Sequence, residues 1–259
     1  MINPMELSNK HIIITGASSG IGRACAIQAS KLGAKVTLVA RDENKIIETI
    51  NLMEEKGKHA YYCFDLNNTE DIESLIKNII SEQGVVDGLC HAAGIATSRP
   101  LKLSKPTYVN KMFSVHIFAF AELVRVLSLK HNLNEGASLV GVSSVAAEHG
   151  NTAQGIYAAA KGAMNSFIKP VAKELANRKI RINNVAYGIV NTKMYQEFLE
   201  TGGDENVVKQ QYLGIIDTES AANAVMFLLS DASKFITGSV LPVYAGYWTL
   251  MFVRWGKND

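Results

Sequence analysis

Short runs of β-branched residues alternate with longer stretches of helical periodicity along most of this chain. A strand inside a parallel sheet is a short, almost continuous apolar run, whereas a helix packed on a sheet repeats its apolar positions every three to four residues. The apolar runs predict seven strands: His11–Thr15, Lys35–Ala40, His59–Phe64, Gly88–His91, Ser138–Ser143, Ile180–Ala186 and Ser239–Val243. The stretches between them predict five helices: Gly22–Leu32, Glu43–Lys56, Thr69–Gln83, Lys111–Leu129 and Ile156–Ala176. This order is typical of an α/β protein in which helices connect parallel strands.

Nothing in the sequence divides this pattern into separate domains. No internal repeat and no low-complexity linker interrupts it, and a chain of 259 residues is short enough for an α/β fold to form one core. We therefore expect a single domain with a doubly wound (Rossmann-like) α/β fold. Its seven-stranded parallel sheet would carry helices on both faces.

The composition excludes several classes of function. Hydrophobic residues make up 47% and charged residues 19% of the chain, values typical of a globular protein. The net charge of +2 comes without a run of Lys or Arg, so no nucleic-acid partner is expected. No apolar stretch approaches the ~20 residues of a membrane span. The first ten residues lack the apolar centre of a signal peptide, so no membrane association is expected either.

The three cysteines are Cys25, Cys63 and Cys90, and they lie far apart in the sequence. Their spacing has no metal-ligand pattern, and each has apolar neighbours. We expect all three to be buried thiols in the reducing cytoplasm, with no metal site.

A glycine-rich turn joins the first predicted strand to the first helix. Backbone N–H groups at the start of a helix attract a pyrophosphate, and glycines let the backbone approach it closely. The motif alone is also compatible with a tight turn, but here a strand precedes it, a helix follows it, and further strand–helix units come after. The residues predicted to contact a dinucleotide at this turn are Gly16, Ser18, Ser19, Gly20, Ile21 and Gly22.

The ends of the second and third strands bear on the choice of cofactor. An NAD site usually has a carboxylate after the second strand, for the ribose hydroxyl groups. This chain has Ala40 and then Arg41, which favours a 2′-phosphate and therefore NADP(H). Asp42 follows and is able to pair with Arg41 or repel the phosphate, and Arg41 is alternatively a surface residue. Asp65 closes the third strand and is either a contact for the adenine edge or a loop-capping residue.

Tyr157 and Lys161 lie four residues apart, on one face of a predicted helix. A tyrosine with a pKa near ~10 is a poor acid–base group at neutral pH, and a nearby cation lowers that pKa. Ser144 follows a predicted strand, where its hydroxyl group would reach a substrate oxygen beside Tyr157. The pair alone is a common accident, so the arrangement of all three residues carries the prediction of a catalytic site.

In these motifs the sequence resembles the short-chain dehydrogenase/reductase family, from Leu7 to about Gly246. The matching positions occur in the family's order and at its spacing. They are the turn Thr15–Gly22, Ala93, Gly94, Ser144, Tyr157, Lys161, Asn183, Gly188, Thr192 and the segment Ile236–Gly238.

The resemblance implies an enzyme in which one domain, residues 1–259, binds the dinucleotide and carries out catalysis. Tyr157 would be the acid–base residue, Lys161 would assist it and hold the nicotinamide ribose, and Ser144 would orient the carbonyl group. Thr192 would contact the nicotinamide carboxamide. Further cofactor contacts are expected at Leu66, Ala93, Gly94, Gly188 and Val190.

The sequence departs from the family pattern at four places. The usual Asn-Asn-Ala-Gly is His91-Ala-Ala-Gly here, and the usual Pro-Gly after the sixth strand begins with Tyr187. The late Asp-Gly-Gly begins with Tyr244. The usual active-site Asn of the central helix is His116. In the family this Asn bends the helix, so His116 is predicted either to take part in proton transfer, titrating near pH ~6.5, or to be a packed helix residue.

Two segments stand apart from the regular pattern. Residues 188–216 combine apolar side chains with a Gly-containing centre at Thr201–Asp204, which predicts a lid over the substrate pocket. An ordinary pair of surface helices is the alternative. Residues 247–259 form an extra tail whose aromatic residues are Tyr247, Trp248, Phe252 and Trp255.

The sequence therefore predicts a cytoplasmic oxidoreductase that transfers hydride between NADP(H) and a small-molecule ketone or secondary alcohol. A 3-oxoacyl thioester is one candidate substrate, and sugars, steroids and small diketones are others. Lys130, His131, Lys169 and Lys173 are either ordinary solvated helix residues or a modest basic area for an acidic carrier protein. The alternative is a cofactor-binding protein that has lost catalysis and acts as a sensor or partner. Apolar residues on several faces of the two long helices predict a homo-oligomer, a tetramer. They are Phe118, Phe120, Met164 and Phe167.

Overall fold

The computed structural model describes residues 3–200 and 205–247 of the chain. Its centre is one parallel sheet of seven strands, in the order β3-β2-β1-β4-β5-β6-β7. The strands are β1 His11–Thr15, β2 Lys35–Ala40, β3 Ala60–Cys63, β4 Val86–His91, β5 Leu133–Ser144, β6 Arg181–Tyr187 and β7 Val240–Val243. The predicted doubly wound, seven-stranded parallel sheet in a single domain is confirmed.

Helices cover both faces of the sheet, as expected when parallel strands are joined by right-handed crossovers. Their bounds are α1 Gly20–Lys31, α2 Glu43–Asn51, α3 Ile72–Gln83, α4 Pro106–Phe113, α5 Ala119–Leu127, α6 Gly155–Leu175, α7 Lys193–Glu200 and α8 Thr218–Leu229. None of the helices in the described ranges is long and apolar enough to cross a bilayer.

The apolar side chains of the sheet divide into two cores because successive residues of a strand point to opposite faces. Ile12 and Ile14 of β1 belong to the core that includes α1 and α8. Ile13, between them, belongs to the core that includes α3, α5 and α6. Both faces of the sheet are therefore covered by apolar side chains, which explains why the strands appear in the sequence as nearly continuous apolar runs.

The chain reverses its direction of travel across the sheet between β1 and β4. From β1 it moves outward through β2 to β3, and it then returns to β4 and continues to β7. Thr15 at the end of β1 pairs with His91 at the end of β4. In open α/β sheets ligands bind in the crevice outside the carboxyl ends of the strands at such a reversal.

Two of the predicted helices differ most from the structure in their bounds. The helix predicted at Glu43–Lys56 ends at Asn51, and Glu55 then takes a φ of +45°, which turns the chain back towards β3. The helix predicted at Lys111–Leu129 begins five residues earlier, at Pro106, because proline fits the first turn of a helix. It is also interrupted by a π-helical segment at Ser114–Phe118.

Two predictions about buried and exposed side chains were wrong in part. Cys63 is exposed, because it ends the edge strand β3, whose side chains alternate between partly buried and exposed positions. Phe120 and Met164, expected on an oligomer surface, are buried in the core. Phe118 stays half exposed.

The predicted lid forms helix α7 and, on its return, the 3-10 helix Glu205–Gln210. Its predicted flexible centre, Thr201–Asp204, lies outside the described residues. The same holds for Trp248, Phe252 and Trp255 of the tail.

Candidate active site

The glycine-rich turn after β1 forms a close backbone cradle. Gly16 has a φ of +69°, and a Cβ atom there would lie 2.7 Å from the backbone nitrogen of Ala93. A Cβ atom on Gly22 would collide with the carbonyl oxygen of Gly16. Helix α1 begins at Gly20 with Ser19 as its N-cap residue. The turn therefore presents the start of a helix, where an anion would be stabilised.

A cavity of about 720 Å³ opens at this edge of the sheet. All residues that the sequence predicted for the cofactor and for catalysis line it, although they are spread from position 16 to position 192. They are Gly16, Ser18, Ser19, Gly20, Ile21, Gly22, Arg41, Asp65, Leu66, Ala93, Gly94, His116, Ser144, Tyr157, Lys161, Gly188, Val190 and Thr192.

Charged side chains surround the cavity at the ends of β2 and β3. Arg41 is exposed, while the Asp42 carboxylate caps α2, accepting from the Lys45 N–H at 3.2 Å and pairing with its ammonium at 3.1 Å. Asp42 is thus engaged on the helix side, with Lys45 rather than Arg41 as its ion-pair partner.

Asp65 both caps its loop and lines the cavity. Its Oδ1 accepts from the backbone N–H of Asn67 at 3.0 Å and from the Asn67 side chain at 2.7 Å. Burial alone would raise the pKa of Asp65, but these hydrogen bonds and the charges of Arg41 and Lys111 outweigh it, so the pKa is lowered. The carboxylate is therefore charged at neutral pH.

Ser144, Tyr157 and Lys161 come together from β5 and α6. Ser144 ends β5, and its Oγ accepts from the Ala146 N–H at 3.1 Å. Lys161 is buried, donates to the carbonyl oxygen of Val142 at 2.7 Å, and places its Nζ 5.8 Å from the centre of the Tyr157 ring. The serine hydroxyl, the phenol and the amine thus border one space.

Burial dominates the acid–base properties of this group. It raises the pKa of Tyr157, although a hydrogen bond with Ser144 opposes the change. It lowers the pKa of Lys161 to about 7. The expectation that Lys161 lowers the pKa of Tyr157 was therefore wrong for these residues by themselves. The physical reason is that loss of water penalises both charged forms, and the amine of Lys161 donates its hydrogen bond to the carbonyl oxygen of Val142.

His116 lies in the π-helical segment and packs edge-on against Tyr157, with ring centres 5.7 Å apart. It is buried, and its Nε2 lies 2.8 Å from the carbonyl oxygen of Ile95. Burial, followed by the charge of Lys161, lowers the pKa of His116 well below 6.5. The structure therefore supports a packed, neutral imidazole, and the expected titration near pH ~6.5 was wrong.

Gly94 makes this packing of His116 possible. A Cβ atom on residue 94 would collide with the imidazole ring. The imidazole also lies within hydrogen-bond distance of both polar backbone groups of Ile95, directly after Gly94. The side chain at position 116 thus fixes the backbone that follows β4 beside the cavity.

His91 has a role that sequence reasoning missed. Its Nδ1 lies 3.0 Å from the hydroxyl of Thr15 and its Nε2 lies 3.2 Å from the Val115 carbonyl oxygen. A carbonyl oxygen only accepts, so Nε2 carries the hydrogen and Nδ1 accepts from Thr15. Burial and the charge of Lys161 lower the pKa of His91 to about 3. Its presence in a buried strand was the available signal, because a buried polar side chain needs partners.

Tyr187, another departure from the family pattern, is also explained by its contacts. Its ring is buried beneath the cavity, and its hydroxyl donates to the carbonyl oxygen of Ala221 in α8 at 2.5 Å. Tyr187 thus ties the end of β6 to α8.

Apolar side chains of α7 border the cavity on the side of the predicted lid. Tyr195 and Phe198 stack with ring centres 6.3 Å apart, and Met194 lies beside them in the helix. Elsewhere the cavity is lined by polar side chains of the loop that precedes α6: His149, Asn151 and Gln154. No cluster of potential metal ligands is found among the described residues.

The glycine-rich turn and the group of Ser144, Tyr157 and Lys161 thus line one cavity, and comparison with known proteins identifies the family of the chain. A family model described as "Enoyl-(Acyl carrier protein) reductase" matches residues 16–248. The chain is 30% identical over 246 residues to a 3-oxoacyl-[acyl-carrier-protein] reductase of Vibrio cholerae, which covers 95% of this chain and 100% of that protein. It is 25% identical to a 7alpha-hydroxysteroid dehydrogenase of Escherichia coli, over 93% of this chain and 95% of that protein.

A solved structure has the same architecture. The short-chain dehydrogenase/reductase of Brucella melitensis described as a glucose/ribitol dehydrogenase superimposes with a TM-score of 0.87. The two share 29% identity, over 94% of this chain and 98% of that one. The present chain belongs to the short-chain dehydrogenase/reductase family, whose members are oxidoreductases that use a nicotinamide cofactor.

Proposed function

We propose that this protein is an NADP(H)-dependent oxidoreductase that reduces a ketone to a secondary alcohol. The observation that carries the proposal is the convergence of Ser144, Tyr157 and Lys161 on the cavity that the glycine-rich turn also lines. A carbonyl oxygen placed there is within reach of two hydroxyl donors, as reduction of a C=O bond requires.

The residues present fit a dinucleotide. The backbone cradle at Gly16 and Gly22 is closed to any side chain, and Thr192 packs over Gly20, where a Cβ atom would lie 3.3 Å from its methyl group. The glycine turn would hold the pyrophosphate, and residues 188–192 would hold the nicotinamide end. When bound, the nicotinamide supplies or accepts a hydride.

The chain's own residues would manage the proton. In the direction of reduction, Ser144 orients the carbonyl group and the Oη–H of Tyr157 donates a proton to the forming alkoxide. The raised pKa of Tyr157 keeps this proton in place at neutral pH. Lys161, with a pKa of about 7, is able both to carry and to release a proton there, which suits it to reprotonate Tyr157. His116 would hold the phenol ring in position by its edge contact.

NADP(H) is the proposed cofactor because of Arg41. It lines the cavity after β2, and the carboxylate next to it in the sequence, Asp42, pairs with Lys45. A guanidinium group offers two parallel donors to the oxygens of a 2′-phosphate. Asp65 would stand near the adenine.

The substrate side favours a partly apolar ketone. Residues 188–216 would act as a lid, with Met194, Tyr195 and Phe198 covering the substrate. The name of the Vibrio cholerae relative suggests a 3-oxoacyl thioester, and that of the Escherichia coli relative suggests a steroid. For an acidic carrier protein, four exposed basic side chains are available: Lys130, His131, Lys169 and Lys173.

An assay of NADPH consumption over a panel of ketones tests the proposal. The panel contains a 3-oxoacyl thioester, a hydroxysteroid ketone, a small diketone, and an enoyl thioester as the substrate for C=C reduction. Turnover of at least one ketone is expected. If NADPH binds but no compound is turned over, the protein is instead the cofactor-binding sensor or partner that the sequence left as the alternative.

A further inference from the structure

Gln211 is a buried amide at the base of the predicted lid. It follows the 3-10 helix Glu205–Gln210 and is only 3% exposed, whereas the next two side chains, Tyr212 and Leu213, are 55% and 86% exposed. A buried polar side chain is costly unless its polar atoms are bonded. The Gln211 amide therefore needs hydrogen-bond partners within the fold.

The oxygen and the nitrogen of the Gln211 amide both form hydrogen bonds with the backbone of Ile189. Oε1 accepts from the backbone N–H of Ile189, and Nε2 donates to the carbonyl oxygen of Ile189 at 3.2 Å. Nε2 also donates to the carbonyl oxygen of Gly214 at 2.9 Å. The side chain thus satisfies both backbone groups of Ile189, as a neighbouring strand would.

These bonds lie where the chain leaves the sheet for the lid and where it returns. The Asn191 N–H donates to the carbonyl oxygen of Ile216 at 2.8 Å, and the Ile216 N–H donates to that of Ile189 at 3.1 Å. A Cβ atom on Gly188 would collide with Oε1 of Gln211. The amide is therefore packed directly against Gly188 and Ile189, the first two residues after β6.

We propose that Gln211 is a positioning residue for the nicotinamide end of the cofactor, because its amide holds the Ile189 backbone and thereby Gly188, Val190 and Thr192. The inference rests on the proposed function, which assigns residues 188–192 to the nicotinamide. The adenosine end lies at the glycine turn and Arg41, on other elements, so Gln211 should not affect it.

Two ligands distinguish binding at the nicotinamide end of the site from binding at the adenosine end. NADP⁺ uses both ends, whereas adenosine 2′,5′-bisphosphate lacks the nicotinamide ribose. The variant Gln211→Met keeps the length of the side chain and removes its hydrogen bonds, and Gln210→Met makes the same change at the preceding position. Gln211→Glu is a second variant, which keeps an acceptor for Ile189 but loses the donor. Dissociation constants are measured by calorimetry on the full chain.

Both Gln211 variants are expected to raise the Kd for NADP⁺ by about tenfold, the effect of one to two hydrogen bonds. The Kd for adenosine 2′,5′-bisphosphate should stay within about twofold of wild type in every variant, and Gln210→Met should leave both constants unchanged. The retained affinity for the fragment also shows that the variants are folded.

Equal weakening of both ligands, or no change in either, would overturn the positioning role, because a general structural defect does not distinguish the two ends. If wild-type protein binds neither ligand, the proposed function fails, and this inference fails with it. If wild type binds both and Gln211→Met binds both equally well, only the inference fails.

Discussion

At the scale of single residues, two imidazoles and one amine are buried near one another: His91, His116 and Lys161. His91 and His116 are both neutral at physiological pH because burial and the charge of Lys161 lower their pKa values. Each imidazole instead fixes backbone: His91 bonds the Val115 carbonyl in the π-helical segment, and His116 bonds Ile95 after β4. These replacements of the usual asparagines therefore keep a supporting function, which favours an active enzyme over a drifted binding protein.

The neutral state of His116 leads to a prediction about pH. Because the pKa of His116 is well below 6.5, the ring does not change charge between pH 6 and 9. The pH–rate profiles of wild type and His116→Asn should have the same inflection points, even where their maximal rates differ. A limb near pH ~6.5 that is present in wild type and lost in the variant would show that His116 titrates during catalysis.

Arg41 carries a prediction about cofactor choice. Charge-assisted hydrogen bonds contribute about 1.5–3 kcal/mol, so Arg41→Ala should lower kcat/KM for NADPH by roughly 10- to 150-fold. The value for NADH should change little, because NADH lacks the 2′-phosphate. Lys45→Ala, which removes the partner of Asp42, is an informative comparison: the freed carboxylate should weaken NADPH use more than NADH use. A wild-type ratio of the two cofactors near one, or a ratio unmoved in Arg41→Ala, would rule Arg41 out as the discriminator.

At the scale of elements, the sequence predicted best what depends on local pattern. Each predicted strand has a counterpart, since seven apolar runs were separated by polar turns. The whole set of predicted site residues lines one cavity because the ends of parallel strands meet at one edge. The bounds of helices were less accurate where the deciding contact is distant. The end of α2 at Asn51 depends on the return to β3, which the residues themselves do not reveal.

Two features of the site required the three-dimensional structure. The π-helical segment Ser114–Phe118 is held by bonds from other parts of the fold, such as that of His91 to Val115, which the local sequence does not specify. The pKa of Tyr157 was predicted from its distance to Lys161 along a helix, whereas burial decides it. Burial depends on elements that are far apart in sequence, so a pattern of residues cannot supply it.

At the scale of the whole molecule, the reversal of strand order between β1 and β4 creates the cavity. The glycine turn follows β1, and the segment Ala92–Gly94 follows β4, so the two backbones meet at Gly16 and Ala93. Predicted site residues that follow the remaining strands then line this crevice on both sides. The fold therefore places the chemistry at the centre of the sheet edge, with α7 above it.

The predicted tetramer concerns the surface of the whole molecule. Several large apolar side chains stay exposed on the described surface, including Phe118, Leu213 and Phe235, which are 52%, 86% and 91% exposed. Exposed apolar residues of this size favour contact between copies of the chain. Light scattering at micromolar concentration should give four times the mass of one chain. A monomeric mass would contradict the prediction. The charged substitution Phe118→Glu should weaken the assembly where the segment Ser114–Phe118 lies in a contact between copies of the chain.

In the proposed reaction, the Tyr157 hydroxyl gives the proton when a ketone is reduced. The most direct measurement is the single-turnover rate of NADPH oxidation with the best ketone of the panel, in wild type and in Tyr157→Phe. General acid catalysis contributes about 10²–10⁴-fold, so the rate should fall by at least about 10²-fold. The Kd for NADPH and the Tm should stay close to wild type. A Phe variant that retains more than about a tenth of the wild-type rate would show that Tyr157 is not the proton donor.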